Sequence, residues 1–150
     1  MLDRRGFIVA VGAGGLLAAC QSGPPKPSSV TVVAAGLPGM NPGPDGSARP
    51  VTLQIYRLKS LGAFNSADLL ALQADPAAAL GADLIGVDTL VVPPGGQASK
   101  TIGFEAEAAF LGAAALLRDP SGKTWRASKP IAKESTVTVA AQIGPSGLSL

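Results

Sequence analysis

Residues Gly36 to Pro50, GLPGMNPGPDGSARP, hold four glycines and four prolines in fifteen positions. No helix survives that content, since proline lacks the N–H that the helical ladder needs, and no central strand does either. The segment is a long loop between two extended runs. Connections of this length without structure of their own are uncommon and are either functional or disordered. Leu37 and Met40 are expected to be apolar side chains displayed on it, methionine being suited to irregular partner surfaces.

The flanks read as strands. Ser29 to Ala35 is β-branched around Val30, Thr31 and Val32, and Val51 to Lys59, VTLQIYRLK, alternates strictly. Val51, Leu53, Ile55 and Arg57 share one face, which is mostly core; Thr52, Gln54, Tyr56 and Leu58 share a mixed one. The period then changes in FNSADLLALQADPAAAL. Asn65 or Ser66 is expected to cap a helix that turns Leu69, Leu70 and Leu72 inward, Asp75-Pro76 restarts a second turn, and Gly81 stops it. This is a short helical insertion in a β-rich chain.

Strand signals recur at Thr89 to Val92, then after Pro93-Pro94-Gly95-Gly96 at Ala98 to Phe104. Ala106 to Asp119 is ambiguous: its Ala and Leu content favours helix, yet it lacks an amphipathic stripe, which suits a buried central strand. The turn Asp119-Pro120-Ser121-Gly122 and the extended restart at Thr124 to Ala127 fit a hairpin better. STVTVAAQI, GPSG and LSL make a last hairpin. About seven short strands with intervening turns argue a β-sandwich.

Composition bounds the chemistry. There is no histidine and one cysteine, which removes the usual zinc, copper and haem ligands and the commonest general base. The carboxylates Asp68, Asp75, Asp83, Asp88, Glu105, Glu107, Asp119 and Glu134 are scattered, mainly at expected turns and caps, with Asp68 in the first turn of a helix; acid–base catalysis needs a held pair in a cleft. Tyr56, Phe64, Phe104, Phe110 and Trp125 are expected as core or half-buried packing residues. No catalytic residue, metal site or cofactor is expected. With a formal charge of only +2 and no Lys/Arg cluster, no nucleic-acid partner is expected either.

The cysteine, Cys20, follows an export signal. Arg4 and Arg5 precede an uncharged run of 13 residues from Phe7 to Ala19, too short for a span of about 20 apolar residues. Leu17-Ala18-Ala19-Cys20 resembles the lipobox of bacterial lipoproteins, in which the thiol is acylated and the chain is cut before it. Residues 1–19 are then a signal peptide, 20–28 with its QSGPPKPS a lipidated tether, and 29–150 the sandwich domain. A buried thiol or half a disulfide is the weaker alternative, because one cysteine has no internal partner. Gln21, where an Asp resembles an inner-membrane retention signal, favours the outer membrane. Asp3-Arg4-Arg5-Gly6-Phe7-Ile8 is similar to a twin-arginine signal, and Sec export is equally open.

Several stretches together carry a family resemblance: Pro50 to Lys59 (PVTLQIYRLK), Ala63-Phe64-Asn65, Ala67-Asp68-Leu69, Leu80-Gly81-Ala82-Asp83-Leu84, Phe110-Leu111-Gly112, Leu117-Arg118-Asp119 and Trp125-Arg126. With its I-Y-x-L and A-F-x-x-A-D motifs, and Phe110 where a third motif has Tyr, the chain resembles the TssJ (VasD, SciN) family of type VI secretion lipoproteins. The resemblance implies a transthyretin-like β-sandwich under the outer membrane, facing the periplasm. It implies binding to the periplasmic C-terminal domain of TssM, in a membrane complex completed by TssL. The contact it implies lies in the first long loop, at Leu37, Pro38, Gly39, Met40, Asn41 and Pro42. The alternative on the same scaffold is a periplasmic lipoprotein that carries a ligand or inhibits an enzyme.

Overall fold

The computed structural model describes residues 23–150; the signal peptide, Cys20 and the first residues of the tether lie outside the described residues. Eight strands are described: β1 (Ser28–Gly36), β2 (Val51–Leu58), β3 (Leu84–Val92), β4 (Gln97–Phe104), β5 (Phe110–Ala115), β6 (Arg126–Pro130), β7 (Thr136–Gly144) and β8 (Gly147–Ser149). They form two four-stranded sheets, β4-β1-β7-β8 and β3-β2-β5-β6, packed face to face as the expected sandwich. Between β2 and β3 come α1 (Gly62–Ser66), α2 (Leu69–Ala74), α3 (Pro76–Leu80) and a 3-10 turn, Gly81–Asp83.

Alternation builds the main core. Val30, Val32 and Ala34 of β1, Leu53 and Ile55 of β2, Leu111 and Ala113 of β5 and Val139, Ala141 and Ile143 of β7 all point into the gap between the sheets and are buried. The mixed face of β2 is covered over its second half, while Thr52 and Gln54 stay partly exposed. Tyr56 and Leu58 are fully buried beneath α1–α3, together with Phe64, Leu69, Leu72, Leu80 and Ala114. The ambiguous segment resolves for the same reason: β5 is sandwiched between the opposite sheet and the helices, so both its faces are apolar and a strand reads like a buried helix. Gly112 leaves the space that Phe64 fills, since a Cβ there would sit 3.2 Å from the Phe64 ring and 2.9 Å from Leu58 Cδ1. Tyr56 and Phe64 then meet at 5.6 Å between ring centroids, tilted by 52°.

The insertion departs from expectation in two details. The chain is extended at Ala67, so the caps fall at Asp68 and Asp75 rather than at Asn65 or Ser66; Asp68 Oδ1 accepts from Ala71 N at 2.7 Å and Asp75 Oδ1 from Ala78 N at 3.2 Å. Asp68 is thus an N-cap and not a first-turn charge. Starting α2 at Leu69 also turns Leu70 outward, 77% exposed, while Leu69 and Leu72 pack inward. Gly81 ends the helices at φ +56°, a conformation open to glycine. Arg126 holds the insertion down: its Nη1 donates to the carbonyls of Phe64 and Ala67 at 2.8 and 2.7 Å while its guanidinium lies 4.5 Å over Trp125.

The acids are not all at turns. β3 begins at Leu84, five residues earlier than expected, which carries Asp88 into the sheet beside Arg57. Arg57 lies across Gly86, where a side chain would collide with its guanidinium, and joins Asp88 (3.6 Å) and Glu105; Lys100 of β4 reaches Asp88 at 3.3 Å. This half-buried set bridges the open seam between the two sheets where β3 faces β4.

Phe64→Ala should remove the plug between the helices and β5 and cost about 3–5 kcal/mol in denaturant unfolding, whereas Leu70→Ala on the same insertion should change stability by less than about 0.5 kcal/mol.

Candidate docking site at one end of the sandwich

β1 pairs with β7 in parallel, Ser29 opposite Thr136 through Gly36 opposite Ile143. The two strands therefore finish at the same end of the molecule, and the loop after β1 lies beside the turn after β7. Leu37 N donates to Ile143 O at 2.8 Å, Leu37 Cδ1 would be 3.1 Å from a Cβ at Gly144, and a Cβ at Gly39 would touch Pro145. The β3–β4 turn arrives there too, with Gly36 N donating to Gly96 O at 2.8 Å. Gly36 is needed at this crossing, because a Cβ would stand 2.2 Å from Pro93 O.

The Gly36–Pro50 loop is built, not slack. Pro42 bridges Ala48, Gly43 N donates to Ser47 O at 2.8 Å, and Gly46 N donates to Gly43 O at 2.9 Å, closing a small hairpin at its tip. Met40, expected on display, is instead fully buried in the main core, its sulfur packed under Gly36. The reason is geometric: Met40 N is turned back on Leu37 O and Arg49 N on Met40 O, which aims the flexible thioether down into the open end of the sandwich. Asn41 is also buried, at φ +44°; its amide donates to Pro50 O at 3.2 Å and its Oδ1 accepts from Arg118 N at 2.8 Å. Asparagine tolerates that backbone better than most residues, and its two-sided side chain ties the two ends of its own loop to the β5–β6 loop.

Of the residues expected in the contact, Leu37, Pro38 and Gly39 are exposed, Pro42 is half-buried, and Met40 and Asn41 support the loop from below. The exposed group is a short apolar ridge. Beside it runs an open cleft of about 340 Å³ between Leu37 and the Gly144–Gly147 turn, floored by Gln142 and Leu148 and walled by Thr124. Thr124 N donates to Ser146 O at 3.1 Å and Leu148 N to Thr124 O at 2.6 Å, so the β5–β6 loop closes that wall. None of these lining residues is charged. Pro145, Ser146 and Thr124 were missed from sequence; the GPSG turn was visible, its place beside Leu37 was not.

Charges sit at the margin. Asp45 is held below the usual carboxylate range by the Ser47 backbone N–H first, then by the Ser47 hydroxyl and Arg49. Asp119 is lowered likewise, first by the Ser121 backbone N–H. With folded values depressed, the ordering these two turns supply is complete at neutral pH and is lost as pH falls through the folded values.

Asn41→Ala leaves Arg118 N–H and Pro50 C=O without their side-chain partners. It should cost about 1–3 kcal/mol and accelerate limited proteolysis within residues 42–49.

The model of the type VI secretion lipoprotein family (VasD, EvfM, TssJ) matches residues 28–146. Among solved structures, the chain is similar to the type VI lipoprotein TssJ1 from Pseudomonas aeruginosa, at 29% identity and TM-score 0.73 over 84% of this chain and 95% of that one. Serratia marcescens Lip, described as a membrane-bound component of the type VI secretion system, gives 24% identity and TM-score 0.73 over 83% and 96%. A chain in a structure described as the type VI TssM C-terminal domain from EAEC gives 26% and 0.68 over 83% and 97%. No curated protein sequence matches the chain.

Proposed function

The chain belongs to the type VI secretion lipoprotein family, and from that premise we propose that it is the outer-membrane anchor of the secretion machine's membrane complex, binding the periplasmic C-terminal domain of a TssM protein through the loop end of the sandwich. The observation that carries the reading is the exposed apolar ridge Leu37-Pro38-Gly39 braced on buried footings, Met40 and Asn41. A preformed, uncharged ridge binds without first ordering itself. The similar chain found in a structure that is described by a TssM C-terminal domain supports the choice of partner. The role is that of a binding module and not of an enzyme, in keeping with the family.

The anchor half of the proposal rests on Cys20. An acyl chain contributes about 0.8 kcal/mol per buried methylene and one chain alone holds only marginally, so stable attachment requires the several chains that a lipobox cysteine receives. β1 separates tether and ridge. Its nine residues enter from the tether at Ser28 and leave at Gly36, which puts the ridge about 27 Å along the strand from the point where the tether joins the fold. The tether is fastened where it arrives: Lys26 N donates to Glu134 Oε1 at 3.0 Å and the Ser28 hydroxyl to Ala132 O at 2.8 Å. On this reading the ridge faces away from the membrane and toward the periplasm.

Calorimetry of residues 21–150 against the periplasmic domain of the cognate TssM should give one-to-one binding of micromolar strength or better; a folded sample that does not bind overturns the reading. Replacing Leu37 and Pro38 together by serine should weaken that binding by about 2 kcal/mol or more with the unfolding midpoint unchanged. Cys20→Ser should abolish membrane association and secretion while leaving this binding intact, and full secretion by the unacylated variant would count against the anchor.

A further inference from the structure

The two outer faces of the sandwich are treated differently. The outer face of β3-β2-β5-β6 is roofed by α1–α3, whereas nothing among the described residues covers the outer face of β4-β1-β7-β8. Across that bare face the register aligns Thr101, Thr31 and Thr138 in one row and Ser99, Val33 and Ala140 in the next. The rows on either side continue with Ser, Gly, Thr, Gln and Ala. Lys100, the one charge in these four strands, is turned to the edge and paired with Asp88. Water-facing sheet surfaces ordinarily carry charges that keep them apart from other sheets. Here a whole face lacks them.

We propose that this face is where two copies of the chain pack against one another, sheet to sheet, on the membrane. Three observations choose a second copy as the occupant. A face without charge is complementary to itself: a two-fold partner brings the same neutral rows, whereas a charged partner would leave its ions desolvated and unpaired. The face lies along the side of the molecule, parallel to β1, so a two-fold axis running along the strands keeps both Ser28 ends at one side and both ridges at the other. Both tethers then reach the same membrane and both docking ends stay free. Area adds the third constraint. Three long strands and four rows present roughly 400 Å² per copy, or about 800 Å² in all, below the roughly 1,200 Å² of a stable interface. The pair is accordingly weak in solution and forms where anchoring confines the copies and raises their effective concentration. The inference rests on the anchoring proposed above.

The test uses the full chain, processed and in membranes, where an acylated Cys20 offers no free thiol. Val33→Cys places one thiol at the centre of the face, and a short bifunctional maleimide should cross-link it to a species of twice the mass. Leu70→Cys, on the opposite side and 77% exposed, should stay monomeric, and adding Ala140→Lys to Val33→Cys should abolish the cross-link while the unfolding midpoint holds. Membrane flotation is read on the same samples. A V33C chain that floats yet stays monomeric, or that cross-links to a product of another mass, overturns the pairing. A chain that does not float overturns the anchoring instead; cross-linking of V33C is then read in solution at high protein concentration, where absence of the dimer again overturns the pairing.

Discussion

The parallel pairing of β1 with β7 is the constraint on which the rest of the molecule depends. It joins the two ends of the sequence across more than a hundred residues and places them side by side in the middle of one sheet. Because the strands run the same way, the loop that follows one and the turn that follows the other must share an end, and the cleft between Leu37 and Gly144–Gly147 is the result. An antiparallel partner for β1 would have sent that turn to the tether end. Pairings of such sequence separation close large loops before they are rewarded, which favours slow folding for a sheet built on β1–β7.

The second sheet solves a different problem. It has to be apolar on both sides, facing the opposite sheet with one and the helices with the other. β5 does so with small residues, Gly112 to Ala115, that let Phe64 and Leu58 approach closely. The seam between β3 and β4 carries ion pairs as well as packing, Arg57 and Lys100 holding Asp88 and Glu105. Closing a seam with half-buried charge leaves it more sensitive to salt than the core, since partly exposed pairs are screened.

Much of this was legible in the residues. The alternation of VTLQIYRLK, the break in regular structure over Gly36–Pro50 and the Asp-Pro restart are local patterns, and the structure has each of them. What failed was long-range. That Leu70 turns outward depends on where α2 begins, which Ala67 decides by one extended residue. That Asp88 joins an ion cluster depends on β3 starting at Leu84, where Leu84 and Ile85 give a strand signal but the register with Arg57 comes from the pairing. Met40 is the clearest case. A methionine in a glycine-proline loop reads as exposed, and only the backbone turn at Leu37–Met40 and the open end of the sandwich below it make the residue a core plug. At the candidate docking end, the exposed part of the loop was readable while its neighbours Pro145 and Thr124 were not, because no local pattern announces a parallel partner.

β1 is held along its whole length on both sides, by β4 through Ser28 to Ala35 and by β7 through Ser29 to Gly36. Tether and ridge sit at its two ends. Under the proposed anchoring and docking, a pull between membrane and partner would run along the strand axis and load both hydrogen-bond ladders in shear, many bonds at once, instead of peeling them open singly. Rupture would demand that two full ladders fail together. The strand that would space the proposed anchor from the proposed grip is also held by two full ladders, which suits it to bear mechanical load.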